Sequence, residues 1–297
     1  MASIPQFLRR YLQSMRDVQR ADGRMPDIAP LGGGFGGLLW GSAAITVAWE
    51  SYQQYNDKRM LEEHYDAMKK YIDFIFKKTI DPQTNIIVQD NAWGDLGDWL
   101  GLEDEKNDKS LFWEAYLIYD LDIMRKTAAL LGKADDEKYF ADKRQERIAF
   151  FNSTYLEQAT GKTISSGFGG RRKGQLVDTQ TSYVLPIALG VLDGKTYNNC
   201  VSNLAETIER QGIMDNGSVC APYALLTGFI GTAWISKALS DGGRSDIAYK
   251  LLLNEQYPSW LYPVKQGATT IWERLNSYTH SNGFGGNNRM NSFNHYS

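Results

Sequence analysis

Histidine is nearly absent from this chain: His64, His280 and His295 are the only three among 297 residues. A zinc site therefore has few imidazoles to draw on, and a Ser-His-Asp triad would have to use one of these three. Cysteine is scarcer still, with Cys200 and Cys220 alone. They form no C-x-x-C pair and allow at most one disulfide, and two buried thiols are the simpler expectation. Charge of one sign is not in excess either. With 32 basic and 35 acidic residues and a net charge of -3, the chain carries no electrostatic footprint for nucleic acid or an anionic membrane. Long apolar runs are missing. The uncharged stretches 28–49 and 216–236 are broken by Pro30 and Pro222, and neither supplies the roughly 20 apolar residues of a membrane span. Residues 1–10 lack the apolar centre of a secretory signal, which leaves the compartment open. Phosphate loops are absent too: Gly-Lys-Thr occurs at 161–163 and 194–196, but Leu156 and Leu189 stand where the upstream glycine belongs. The GGGFGG run at 32–37 follows no strand, so a dinucleotide fingerprint is unsupported. No metal or cofactor is expected.

What the chain has is a globular composition, 42% hydrophobic and 23% charged. A chain of this length buries about 75% of the surface it exposes unfolded. Helical periodicity dominates. It predicts helices over 5–20, 40–55, 60–78, 111–131, 136–155, 179–189, 196–210, 221–240 and 243–254, with a tenth possible near the C-terminus. The intervening loops are marked by Gly, Pro, Asn and Asp, as at 21–26, 81–85 and 192–199. Helices 179–189 and 221–240 are apolar over much of their circumference and should lie inside, whereas the charged 136–147 belongs on a rim. The pattern implies an all-α fold, a toroid of paired helices in one domain over residues 1–297. Loops at one mouth would then form the site. Gly-Phe-Gly-Gly recurs at 34–37, 167–170 and 283–286. Its uneven spacing suggests shared loop chemistry, with glycine free to take positive φ while the Phe pins the loop.

Three clusters carry candidate chemistry. In Asn91-Ala-Trp-Gly-Asp-Leu-Gly-Asp-Trp-Leu100, Gly94 and Gly97 disfavour a regular helix. Asp95 and Asp98 therefore fall on a loop flanked by Trp93 and Trp99. Indole faces accept the apolar C–H face of a sugar while carboxylates accept its hydroxyls. The competing reading is a capped turn, with Asp98 as the cap and the Trp residues as plugs. The second cluster sets Glu273 between Trp272 and Arg274; burial against the indole would raise its pKa and pairing with the guanidinium would lower it. A structural Glu–Arg pair competes here with a general base. The third, 287–296, packs four Asn, one Arg and His295 into ten residues, a density of amides suited to hydroxyls. His295 reads equally as a structural histidine. His64 and His280 look ordinary, and Asp142, Arg144 and Glu146 read as a solvated helix face.

Taken together, GATTIWERLNSYT (267–279) and NGFGGNNRMNSFNHYS (282–297) resemble the C-terminal part of the catalytic domain of α-L-rhamnosidases, glycoside hydrolase family 78. Further segments occur in that family's order: DGRMPDIAP (22–30), LLWGSAAITVAWESYQQYND (38–57), GDWL (97–100), DTQTSYVLPIALG (178–190), LTGFIGTAWI (226–235) and YPSWLYPVKQ (257–266). The resemblance implies a six-pair helical barrel, an (α/α)6-type toroid, and inverting hydrolysis of terminal α-L-rhamnosides, so a rhamnoside is the expected partner. It implies Glu273 as general base, with Trp40, Trp93 or Trp99, and His295 at sugar-contacting positions; Trp272 and Arg274 flank the base, and Asp95 and Asp98 are added from the local argument. The family's general acid lies in an acidic motif upstream of the stretch similar to residues 7–30, and the flanking β-sandwich domains have no counterpart here. The expectation is thus a barrel incomplete at both ends, with its base side present. A non-hydrolytic rhamnose-binding barrel is the alternative. A sugar epimerase on a similar toroid, which leans on histidine, is the weakest reading.

Overall fold

The computed structural model describes residues 4–34, 36–89, 96–285 and 291–295. Among them are ten α-helices and only four strands of two residues each, so the all-α expectation holds. The chain folds into two compact units, each assembled from separated stretches: 1–96, 109–154 and 168–170 in the first, 97–108, 155–167 and 171–297 in the second.

The first unit holds α1 (Ile4–Asp17), α2 (Ala43–Tyr55), α3 (Lys58–Lys78), α4 (Lys109–Leu130) and most of α5 (Ala134–Tyr155). Two residues join α2 to α3. Asn56 takes a left-handed φ of 52° as the cap of α2, and the Asp57 carboxylate accepts the Arg59 N–H at the start of α3. Helix α4 is buried on nearly every side, from Ser110 through Ala128. His64, which looks ordinary in the sequence, is a buried histidine. Its Nε2 lies 2.8 Å from the Ala44 carbonyl and its Nδ1 3.1 Å from the Arg16 guanidinium. Burial, with Arg16 beside it, lowers its pKa to about 4, so the ring is neutral and accepts from Arg16. One expectation fails in α5. Its charged N-terminal half lies on the surface, but Arg147 is 0% exposed, because Glu114 of α4 supplies a buried carboxylate for it.

In the second unit α6 (Gln180–Ala188) is enclosed, with Gln180 to Ile187 all buried. It packs against α7 (Gly194–Glu209) and α8 (Phe229–Asp241), and α8 packs on α9 (Ser245–Leu252). The remaining elements are the pair β1 (Gly212–Ile213) and β2 (Val219–Cys220), then α10 (Leu261–Lys265), and the pair β3 (Tyr278–Thr279) and β4 (Gly283–Phe284). Helix α8 begins eight residues later than its apolar run predicts, and it buries only Gly231, Ile235, Ala238 and Leu239. The preceding residues are not helical because their backbone bonds are tertiary. The Leu226 N–H donates to Gln180 Oε1, and the Leu226 carbonyl accepts from Leu102 N–H. Cys200 and Cys220 are both buried and free, as expected.

Two of the Gly-Phe-Gly-Gly repeats behave as the sequence suggests. Gly167 and Gly283 have positive φ. Phe168 packs edge-on against Trp113, and Phe284 against Tyr278 and Phe293. Phe35 of the first repeat lies outside the described residues.

Candidate active site

Loop 97–108 is the scaffold of the second unit's site. Its acidic residues cap buried helices from a distance. Asp98 is 1% exposed; its Oδ2 accepts from Thr181 Oγ1 at 2.5 Å and Gly228 N–H at 2.6 Å, and its Oδ1 from Gly231 N–H at 2.9 Å. It therefore neutralises the orphan donors at the start of α8. Glu103 Oε1 accepts the Gln180 N–H at 2.7 Å, at the start of α6. Asp108 Oδ2 accepts from Ser166 N–H and Oγ, both at 2.8 Å. Of the two readings open for Asp98, these bonds give it the capping one: both carboxylate oxygens face protein donors. The capped helix is not the next in sequence.

Burial dominates the titration of two of these acids. It raises Asp98 to about 6, against the pull of the Thr181, Gly231 and Gly228 donors. It raises Glu103 to about 7, opposed by the Gln180 N–H, Lys106 and Arg210, while Asp215 reinforces the rise. A raised folded-state pKa means that the native state holds protons the unfolded chain has released. The associated stability is complete below the unfolded values, near 4, and is lost as pH rises through 6 to 7. The thermal midpoint is therefore expected to fall by several degrees between pH 5 and pH 8. Glu103→Gln, which keeps the acceptor for Gln180, should flatten that slope in differential scanning calorimetry; an unchanged slope would assign it elsewhere.

The remaining candidates of this unit converge on the antiparallel stretches 271–273 and 292–295. Glu273 N–H donates to the Ser292 carbonyl at 2.9 Å, and Ser292 N–H donates back to Glu273 Oε2 at 2.9 Å. His295 N–H donates to the Ile271 carbonyl at 2.8 Å. Trp272 packs edge-on against Phe293, with centroids 5.3 Å apart. The His295 ring lies 5.0 Å from that of Phe229, the first residue of α8. Phe229 N–H in turn donates to the carbonyl of Trp99, whose side chain is 37% exposed. Glu273, Trp272, His295 and Trp99 thus belong to one connected framework. Among the described residues Glu273 makes no ion pair, and its Oε1 has no hydrogen-bond partner. Arg274 does not pair with it; its backbone N–H donates to Ser277 Oγ, and its Nε is buried without a partner among the described residues. The Glu–Arg pair weighed from the sequence is not formed.

Trp40 belongs to the first unit and is 38% exposed. Its turn is anchored from below. Ser42 Oγ donates to Asp120 Oδ2 at 2.6 Å, Leu38 N–H donates to Gln89 Oε1 at 2.6 Å, and Tyr71 O–H donates to the Gly36 carbonyl at 3.1 Å. Burial raises the Asp120 carboxyl well above the usual range. Trp93 and Asp95 lie outside the described residues. A concavity of about 370 Å³ in the second unit is lined by Pro222, Tyr223, Tyr249, Lys250, Leu253 and Asn254. It contains none of the candidate residues, and its mostly apolar, open shape offers no acid–base pair. The candidate acid–base and sugar-contacting groups of this unit lie instead on the framework around Glu273.

Sequence reasoning missed Phe229, the backing of His295, and Ser292, the clamp on Glu273. Phe229 had a signal in the Gly228 that precedes it; Ser292 acts through its backbone and had none.

The whole chain, residues 1–297, matches the family described as bacterial alpha-L-rhamnosidase 6 hairpin glycosidase domain. It is 32% identical to an alpha-L-rhamnosidase of Formosa agariphila, over 99% of this chain and 30% of that protein. In structure it is similar to a Streptomyces avermitilis alpha-L-rhamnosidase complexed with L-rhamnose, with a TM-score of 0.81 and 32% identity over 98% of this chain and 25% of that one. A native alpha-L-rhamnosidase from Aspergillus terreus gives a TM-score of 0.79 and 26% identity, over 98% and 32%. The chain spans about a third or less of the length of these relatives.

Proposed function

This chain belongs to the bacterial α-L-rhamnosidase six-hairpin glycosidase family, and from that membership we propose that it acts on terminal α-L-rhamnosides by inversion, with Glu273 as general base. The observation that carries the assignment is the state of that carboxylate. It is half-buried, one oxygen is fixed by a backbone N–H, and among the described residues the other oxygen has no partner and no cation neutralises the group. A hydrogen bond to the charged form favours ionisation without occupying both oxygens. The free oxygen takes a proton from water as that water's oxygen bonds to the anomeric carbon and the glycosidic C–O bond breaks. Trp99, Trp272 and His295 are assigned to the sugar, with Arg274 beside the base. Rhamnose, a 6-deoxyhexose, offers indole an apolar methyl and C–H face. The relative that carries L-rhamnose supports this substrate class.

Inversion also needs a carboxylic acid for the leaving oxygen, about 6.5–9.5 Å from the base. Asp98, Glu103 and Asp108 are bound to backbone and hydroxyl donors, so the acid is assigned to none of them. Turnover of aryl α-L-rhamnosides is accordingly expected to fall steeply as the leaving group becomes poorer, by about 10² to 10⁴. Proton NMR of the first-formed sugar should show the β anomer. Equal, high turnover on good and poor leaving groups would mean that an acid acts within the chain, and α anomer formed first would overturn inversion. The commitment of those three carboxylates also favours a second reading, rhamnose binding without turnover, which calorimetry beside reducing-sugar release distinguishes.

A further inference from the structure

We propose that Asp98 is a positioning residue for the sugar site, setting the places of Trp99 and His295 together by fusing the loop of the first to the helix that backs the second; this rests on the sugar-binding roles proposed above. The fusion is built from several independent contacts. Two come from Asp98 to the first turn of α8, at Gly228 N–H and Gly231 N–H, and a third comes from Thr181 of α6. The carbonyl of the next residue, Trp99, accepts the Phe229 N–H at 2.9 Å. Glycine permits the approach. A Cβ on Gly228 would lie 2.3 Å from the carbonyl oxygens of both Asp98 and Trp99, and a Cβ on Gly231 would lie 2.4 Å from Thr181 Oγ1. No side chain fits between the loop and the helix start. Phe229, fixed by the same contacts, carries the His295 ring on its face.

The carboxylate thus has two outputs. One passes through a single peptide to an exposed indole. The other passes through one ring contact to an imidazole. The aspartate is suited to this work because three donors converge on two acceptor oxygens; an asparagine would turn its amide N–H₂ toward at least one of them. The role differs from that of Glu103 on the same loop, which fixes α6 through the Gln180 N–H and, among the described residues, makes no hydrogen bond to either aromatic residue. A residue acting through others in this way is expected to change substrate affinity before it changes the chemical step.

The test uses the full chain labelled with 5-fluorotryptophan, in which Trp99→Phe assigns the Trp99 fluorine resonance among the eight tryptophans. Asp98→Asn, Thr181→Val and Glu103→Gln are compared by fluorine NMR, thermal midpoint and L-rhamnose titration. Thr181→Val removes one of the three donors at nearly constant shape, so it reports even where Asp98→Asn does not fold. Asp98→Asn is expected to move the Trp99 resonance and weaken L-rhamnose about tenfold, and Thr181→Val to do the same to a smaller degree. Glu103→Gln should leave both unchanged whatever its midpoint. Midpoints that fall for Asp98→Asn and Thr181→Val while resonance and affinity stay fixed would reduce Asp98 to a helix cap and overturn the proposal. Should the unsubstituted chain bind no L-rhamnose, the sugar reading fails on its own, and the fluorine resonance alone then decides whether Asp98 sets Trp99.

Discussion

Glu273→Gln is expected to lower kcat by about 10² to 10⁴ while changing L-rhamnose affinity by no more than a few-fold. The size follows from the work a general base does in the transition state, and the split follows from the local geometry. Glutamine keeps a carbonyl oxygen for the Ser292 N–H, so the clamp between 273 and 292 survives. What disappears is the second carboxylate oxygen, which has no partner among the described residues and can accept a proton. The amide that replaces it presents donors to the attacking water and orients it wrongly. Steady-state kinetics on an activated aryl rhamnoside give kcat, and calorimetry gives the affinity. Azide supplies a further check. It is a nucleophile that needs no deprotonation, so it should restore turnover in the variant by bonding to the anomeric carbon as the aryloxide leaves, and the product should be a β-rhamnosyl azide. A loss below tenfold, or a variant that azide leaves inactive, would remove Glu273 from the role of base.

How much of this was legible before the structure depends on the range of the interactions. Helices set by local periodicity were readable: α1 to α7 and α9 lie within three residues of their expected bounds. Helix α8 was not, because the apolar run 221–228 has its backbone donors and acceptors satisfied by Ile208, Gln180, Leu102 and Pro258, none of them close in sequence. The same reason separates readable from unreadable in the site. The W-E-R and Asn-rich clusters were singled out by composition and by resemblance. Their pairing at Glu273 and Ser292, 19 positions apart across a hairpin, depends on tertiary geometry that spacing does not encode. Asp98 illustrates the limit of local reasoning most sharply. Seen alone, a carboxylate between glycine and tryptophan suits a sugar or a cap equally well. The partners that decide, Thr181, Gly228 and Gly231, lie 83 to 133 residues away.

Arg147→Met should destabilise the chain by about 3 to 5 kcal/mol, because it strands a buried charge. Arg147 Nε donates to Glu114 Oε1 at 2.8 Å and a terminal nitrogen donates to Oε2, with both side chains almost wholly buried. The guanidinium also donates to Asn85 at Oδ1 and at the carbonyl oxygen, and it lies over the ring of Phe150. One residue therefore joins α4, α5 and the turn at 81–85. Burial already pushes the Glu114 carboxyl up, and Arg147 is the group that pulls it back. Without the guanidinium, Glu114 must take up a proton or remain charged in an apolar core. The cost is accordingly larger at pH 8 than at pH 5, since the proton is supplied more cheaply in acid. The double variant Glu114→Leu/Arg147→Met removes both charges and should recover much of the loss, because a buried pair recovers little more than its desolvation. Urea unfolding of the two singles and the double variant measures this directly. A single variant that loses less than about 1 kcal/mol would contradict the buried pair. A double variant as unstable as the single would show that the stability resides in the bonds to Asn85, which hold the 81–85 turn against α5, and not in the ion pair itself.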